Sequence, residues 1–406
     1  MATIRIEEPL PQGRRLAPTS GFMLFAYGFR PFFLAAGIYP PVALMAWIGS
    51  FAGWWSVGGD QPMLWHGHEM MFGFLAAAFA GFLLTAVPNW TGTTRLHGAP
   101  LAGLFALWLA GRVVMWLPDL VPPVAQAAVD LAFLPALALA IGLPVFTRSR
   151  ARNGAFIVLP LAFAAANAAY HAAALGFDID GLAALHVAID LMLVALTVIG
   201  GRIVPGFTQS GLRMAGNMVT IAAAPWLDRA AILSIMAVVA VDLIGLDGQF
   251  AAAILCVAVA IHAARLLRWQ GWLAWRLPLV WVLHVAYLWL VAGLALRAAG
   301  ALGLVPAAAG LHAITAGAMA TMIVAVMTRA SLGHTGRLLQ SSPAIVAIYL
   351  LVIAGALGRV LSALAPGESY LVATVAAAAL WALGFLLFAI VYFPVLVGPR
   401  ADGREG

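Results

Sequence analysis

The sequence predicts an all-α polytopic membrane protein: twelve transmembrane helices in one integral membrane domain over 1–406. Three observations predict it. The 406 residues are 64% hydrophobic and 9% charged, too little charge to clothe a water-soluble body of this size. Runs of about 20 apolar residues recur along the chain, the length that crosses a hydrocarbon core about 30 Å thick. Backbone in lipid must satisfy its own hydrogen bonds, so such runs are helices.

The elements follow in order. Spans are expected near 30–55, 66–88, 99–117, 123–146, 154–175, 182–204, 226–245, 249–268, 277–300, 305–327, 343–364 and 369–396. An arm with Glu7, Glu8 and several prolines precedes the first and does not read as a cleaved signal peptide. The second opens on Trp65-His-Gly-His-Glu-Met-Met-Phe-Gly73, two imidazoles and a carboxylate ahead of an apolar run from Met70 to Val87. Ionisable groups at membrane depth are costly and mark sites, and imidazole is the usual protein ligand of haem iron, copper and zinc. The sixth and tenth spans open alike, on Leu185-His186 and Leu311-His312, and the fifth carries His171 near its end. The single cysteine, Cys256, lies in the eighth span and reads as a small packing residue. No Cys-x-x-Cys-His stands ready for covalent haem, so any haem is held non-covalently. The longest loop, 202–226, is too short to fold alone, and no nucleotide-binding loop is present.

Charge sets the orientation. All 21 basic residues are arginine, and 18 fall in the N-terminal arm, the loops after even-numbered spans and the C-terminal tail. Only Arg112, Arg297 and Arg359 lie at the other side. The positive-inside rule places both termini in the cytoplasm. This bias accounts for the pI near 10.1, so nucleic acid is not needed as a partner; the lipid bilayer is. Reporter fusions at Arg150 and Asp180 are expected to read inside and outside respectively. The reverse at both sites overturns the orientation.

A threefold repeat underlies the spans. His68, His186 and His312 open spans two, six and ten, 118 and 126 residues apart. Each of these spans is expected to end in a polar turn: Pro88-Asn-Trp-Thr-Gly92, Pro205-Gly-Phe-Thr208 and Thr328-Arg-Ala-Ser-Leu-Gly-His-Thr-Gly336. Ala110-Gly-Arg-Val113 and Leu357-Gly-Arg-Val360 stand in matching places. The units are 22–146, 154–268 and 277–396, and an axis along the membrane normal would gather their equivalent positions.

Depth sorts the histidines. His66, His68, His171, His186 and His312 share the outer half with Glu69, Asp130, Asn167, Asp190 and Asp242. His186 and Asp190 are four apart, as are Asn167 and His171, so each pair shares a helix face. A metal or haem site is expected there. His68 and His312 are the expected axial ligands, and His66, His171 and His186 the ligands of a second, copper-type metal. Glu69 and Asp190 are the candidate catalytic proton carriers. Arg112, Arg297 and Arg359 read most simply as interface snorkellers, alternatively as clamps on haem propionates. His262 and His284 sit in the inner halves of spans eight and nine and read as structural or path-lining; His97 and His334 are expected in loops.

The stretches Trp65 to Phe74, Thr85-Ala-Val-Pro-Asn-Trp-Thr-Gly92, Gly200-Gly-Arg-Ile-Val-Pro205, Met327 to Gly336 and Phe29-Arg-Pro-Phe-Phe33 resemble the motifs of the NnrS family over roughly 22–396. The resemblance implies a twelve-span bacterial inner-membrane protein with haem b and copper, associated with denitrification and nitric oxide stress. It implies nitric oxide or a related small molecule as partner, with the electron donor unspecified. The architecture is also similar to the catalytic subunit of haem–copper oxidases and nitric oxide reductases, with haem ligands on helices two and ten. Span seven here has no histidine, which departs from that pattern. Three readings stand: a nitric oxide-transforming oxidoreductase, a non-catalytic haem sensor or sequestration protein, and a transporter of a small solute or metal.

Overall fold

A computed structural model describes residues 21–148, 155–365 and 367–404. The signal-peptide reading, and Arg5, Arg14, Arg15, Arg150 and Arg152 of the charge count, fall outside them.

The described chain is all-helical, with no strand. Its long helices are α1 (Phe29–Phe51), α2 (Pro62–Thr91), α3 (Gly98–Met115), α4 (Pro123–Leu131, then Phe133–Arg148), α5 (Ala155–Ala174) and α6 (Gly181–Met214). They continue as α7 (Pro225–Leu243), α8 (Gly248–Arg268), α9 (Pro278–Ala301), α10 (Ala307–His334), α11 (Pro343–Ser362) and α12 (Glu368–Val397). Eleven are long and apolar enough to cross a membrane. The exception, α7, is 19 residues long and carries Asp228 and Arg229 near one end and Asp242 near the other.

Two helices run further than expected. Pro205 and Thr208 lie inside α6, and Thr328 to His334 complete α10. The hydroxyls of the polar residues taken for turns are satisfied inside the helix by bonds back to its own carbonyls. Thr208 donates to the Val204 carbonyl at 2.7 Å, Thr91 to Val87 at 2.8 Å and Thr328 to Ala325 at 3.0 Å. His334 is therefore a helical residue, packed beside the Tyr27 and Phe29 rings. α2 ends where Gly92 takes a left-handed conformation that glycine adopts without strain. Cys256, expected to pack, is exposed on the outer face of α8.

α2 and α10 share a feature that no other described helix has. Immediately after His68 and after His312 each is π-wound for seven residues, Glu69–Leu75 and Ala313–Met319. An indole from another helix bonds a carbonyl in each stretch: Trp108 to Gly73 at 3.0 Å and Trp381 to Ala316 at 3.3 Å. Such stretches concentrate at functional sites. α2, α6 and α10 all begin at the arginine-poor end. They wall an apolar cavity of about 90 Å³ and, toward that end, a larger histidine-lined one.

At the opposite end Arg30 is buried and donates to the Leu396 and Gly398 carbonyls at 2.9 and 2.7 Å, closing the last turn of α12. The tail then folds onto α10. Arg400 spans Asp402 and the His334 carbonyl, and its guanidinium holds the Asp402 carboxyl down at about 2.

Candidate functional site

Two polar sites occupy the arginine-poor end. They are separated by α2 itself, because His66 and His68 stand two residues apart on a helix that turns about 100° per residue.

The first site is the larger cavity. His66 of α2, His186 of α6 and His312 of α10 line it, with Arg359 of α11 and Thr374 of α12. Its atom-free space, open mouth included, is about 1090 Å³. The His66 ring stacks on Trp47 with centroids 4.3 Å apart, and its Nδ1 is buried without a partner. His312 Nδ1 lies 2.8 Å from the Ala308 carbonyl, which can only accept. Nδ1 therefore carries the hydrogen, and Nε2 keeps a lone pair for a ligand. Arg359 contacts Ser362 at 3.2 Å and the Tyr370 hydroxyl at 3.5 Å. The thioethers of Met63, Met70 and Met71 complete the α2 wall.

The second site is closed. His68, Glu69, Arg112, Asp130, Asn167 and His171 are all buried, contributed by α2, α3, α4 and α5. His68 uses both ring nitrogens: Nδ1 lies 2.8 Å from Glu69 Oε1, and Nε2 3.1 Å from Asp130 Oδ2 and 3.0 Å from Asn167 Oδ1. His171 Nε2 is 2.9 Å from Asp130 Oδ2, and Asn167 donates to that oxygen at 2.7 Å. Arg112 donates to Glu69 at 2.6 Å and to the other oxygen of Asp130. Tyr39 donates to Glu69, and Trp116 donates to the Tyr39 hydroxyl at 2.9 Å. One guanidinium faces two carboxylates, so the cluster carries one surplus negative charge unless a proton or cation joins it. Ligand atoms of His68, Asp130 and His171 lie within 4.8 Å of one another, the one such group among the described residues.

Two glycines permit this packing. A Cβ on Gly73 would stand 2.6 Å from the Tyr39 ring and 3.2 Å from Arg112, and one on Gly111 2.8 Å from Asp130. The glycine of the Gly-Arg pair thus lets α3 approach α4, and the arginine uses the approach.

The expected residues divide between these places. His66, His186, His312 and Arg359 meet at the cavity; His68, His171, Glu69 and Arg112 meet in the closed cluster. His68 and His312 are not brought together. Arg112 does not snorkel, because two buried carboxylates hold it inside the bundle. Arg297 joins neither site. It pairs with Asp242 at 2.5 Å and stands 3.8 Å from Asp190, whose Oδ2 is buried without a partner. His262 bonds the Tyr287 hydroxyl and His284 the Thr208 hydroxyl, both at 2.8 Å, away from either site. Tyr39, Trp47 and Trp116 were not foreseen. Tyr39, the single tyrosine of α1, stands directly before Pro40-Pro41, the one signal that marked it.

The profile described as NnrS protein matches residues 23–400. No curated protein is similar enough to match the chain. With that match running almost end to end, and its histidine motif opening the π-wound stretch of α2, the chain belongs to the NnrS family.

Proposed function

We propose that this chain is a haem-carrying protein of the bacterial inner membrane that binds or reduces nitric oxide during nitric oxide stress or denitrification, with both termini cytoplasmic. The observation that carries the reading is the cavity between α2, α6 and α10, into which three histidines converge. The residues fit a haem b. His66 brings a buried nitrogen without a partner, His312 a free Nε2 fixed by its bond to Ala308, and Arg359 a guanidinium suited to a propionate. His66 and His312 would hold the iron, with His186 facing the same space. A haem supplies an iron whose axial ligation and burial tune its affinity for a diatomic ligand.

The chain's own residues do the rest. Trp47 fixes the plane of His66, and Ala308 fixes the tautomer of His312. The walls around these groups are mostly apolar. Asp190, one turn from His186 and with a free carboxylate oxygen, would hold a proton beside the cavity, and Glu69 would hold one on the far face of α2. Ligand atoms of His68, Asp130 and His171 lie within 4.8 Å of one another in the closed cluster, so these residues would hold the second metal. Copper is the metal the family resemblance implies. Two imidazoles and a carboxylate also suit iron, so its identity is settled by measurement.

Purified protein is expected to show a Soret band that shifts on anaerobic addition of nitric oxide, with a second metal detected by mass spectrometry. A colourless, metal-free, folded protein overturns the proposal and favours transport. Consumption of nitric oxide with a reductant separates a reductase from a sensor.

A further inference from the structure

Below the histidine cavity lies a second chamber that the proposed function does not use. It is about 90 Å³, walled mainly by α2, α6 and α10 and partly open at one side, and every side chain lining it is apolar, most of them buried. Four thioethers, Met192, Met319, Met322 and Met327, face it, with Ala78 and Ala195 leaving the space open. It sits about one turn deeper than the histidine cavity on each helix. Ile189 gives way to Met192 on α6 and Thr315 to Met319 on α10, while Leu75 of α2 borders both spaces.

The chemistry of the walls selects the occupant. Water in a buried space needs two to four polar partners, and no side chain here offers one. A lipid or quinone headgroup finds nothing to bond. An apolar cavity of comparable size, roughly 150 Å³, stays dry and takes up xenon or benzene. At about 90 Å³ this chamber is smaller and admits only a small guest. Thioethers are polarisable and adapt to such guests. We propose that this chamber is a binding site for small, uncharged, apolar gas molecules, and that it adjoins the histidine cavity through Leu75. Its use in supplying a gas to that cavity rests on the haem reading; its occupancy does not.

The test is xenon binding to the full chain in detergent, read by NMR of ¹³C-methyl methionine. Saturable shifts are expected at Met192, Met319, Met322 and Met327. The exposed Met218 and Met236 should show only the unsaturable drift of gas dissolved in detergent. Ala195→Phe fills the chamber and should abolish the saturable shifts; the milder Ala78→Val should weaken them several-fold and covers the case in which Ala195→Phe does not fold. Equal, unsaturable shifts at all six methionines, or saturable shifts unchanged in the folded variants, overturn the proposal. Saturable xenon binding in a protein without a Soret band leaves the chamber standing and removes only the supply role.

Discussion

Replacing His312 or His66 with alanine is expected to abolish the Soret band or shift it to that of a five-coordinate haem. His68→Ala is expected to leave the band in place. The two outcomes separate two geometries. Repeat position alone makes His68 the partner of His312, whereas in the structure His68 lies in the closed cluster among Glu69, Asp130 and Asn167 and does not line the cavity. His66 faces the cavity instead, with a nitrogen unpartnered. Loss of the band in His68→Ala, with retention in His66→Ala, overturns the assignment. His171→Ala gives the complementary result: the second metal should fall well below stoichiometry with haem retained.

The largest effect on stability is expected at Arg112. Arg112→Leu removes the only guanidinium from a cluster that holds Glu69 and Asp130, all of it buried. Breaking such a pair from one side costs about 3–5 kcal/mol, because the remaining charge has no compensation. Arg112→Lys should recover little, since one ammonium does not reproduce a fork that reaches two carboxylates on two helices. Adding Glu69→Gln to Arg112→Leu should restore part of the loss by removing one of the stranded charges. The measurement is the half-life of the purified protein at fixed temperature, since large membrane proteins seldom unfold reversibly. An unchanged half-life in Arg112→Leu removes the cluster as a stabilising unit.

Much of this was legible in the sequence, and the reasons are specific. Apolar run length located every long helix, because the thickness of lipid imposes it. The polar residues of the two sites were found because ionisable groups at membrane depth need a reason. What stayed hidden depends on partners distant in the chain. Arg112 looks like a snorkeller until Asp130, 18 residues on, and Glu69, 43 residues back, are seen to converge on it. That His66 and His68 face apart follows from helix arithmetic, but which of them meets His312 is decided by packing. The polar ends of α6 and α10 were misjudged because a threonine bonded to its own helix uses the same residue type as a turn.

The π-wound stretches carry a consequence for register. In each, the amide that follows closes on a carbonyl five residues back, Ala76 to Met71 and Ala320 to Thr315. Each helix therefore holds about one residue more than regular winding would require between its histidine and its membrane-deep half. Deleting a single residue from Glu69–Leu75 would let α2 relax to regular winding. Trp65 through His68 would then keep nearly the same face relative to the rest of the helix, because the π-winding absorbs the extra residue, whereas regular winding of all seven residues would swing them by about 100°. The two histidines would stay near their places, so a one-residue gap in this stretch of a related chain would mark a regularly wound α2 that still carries both sites.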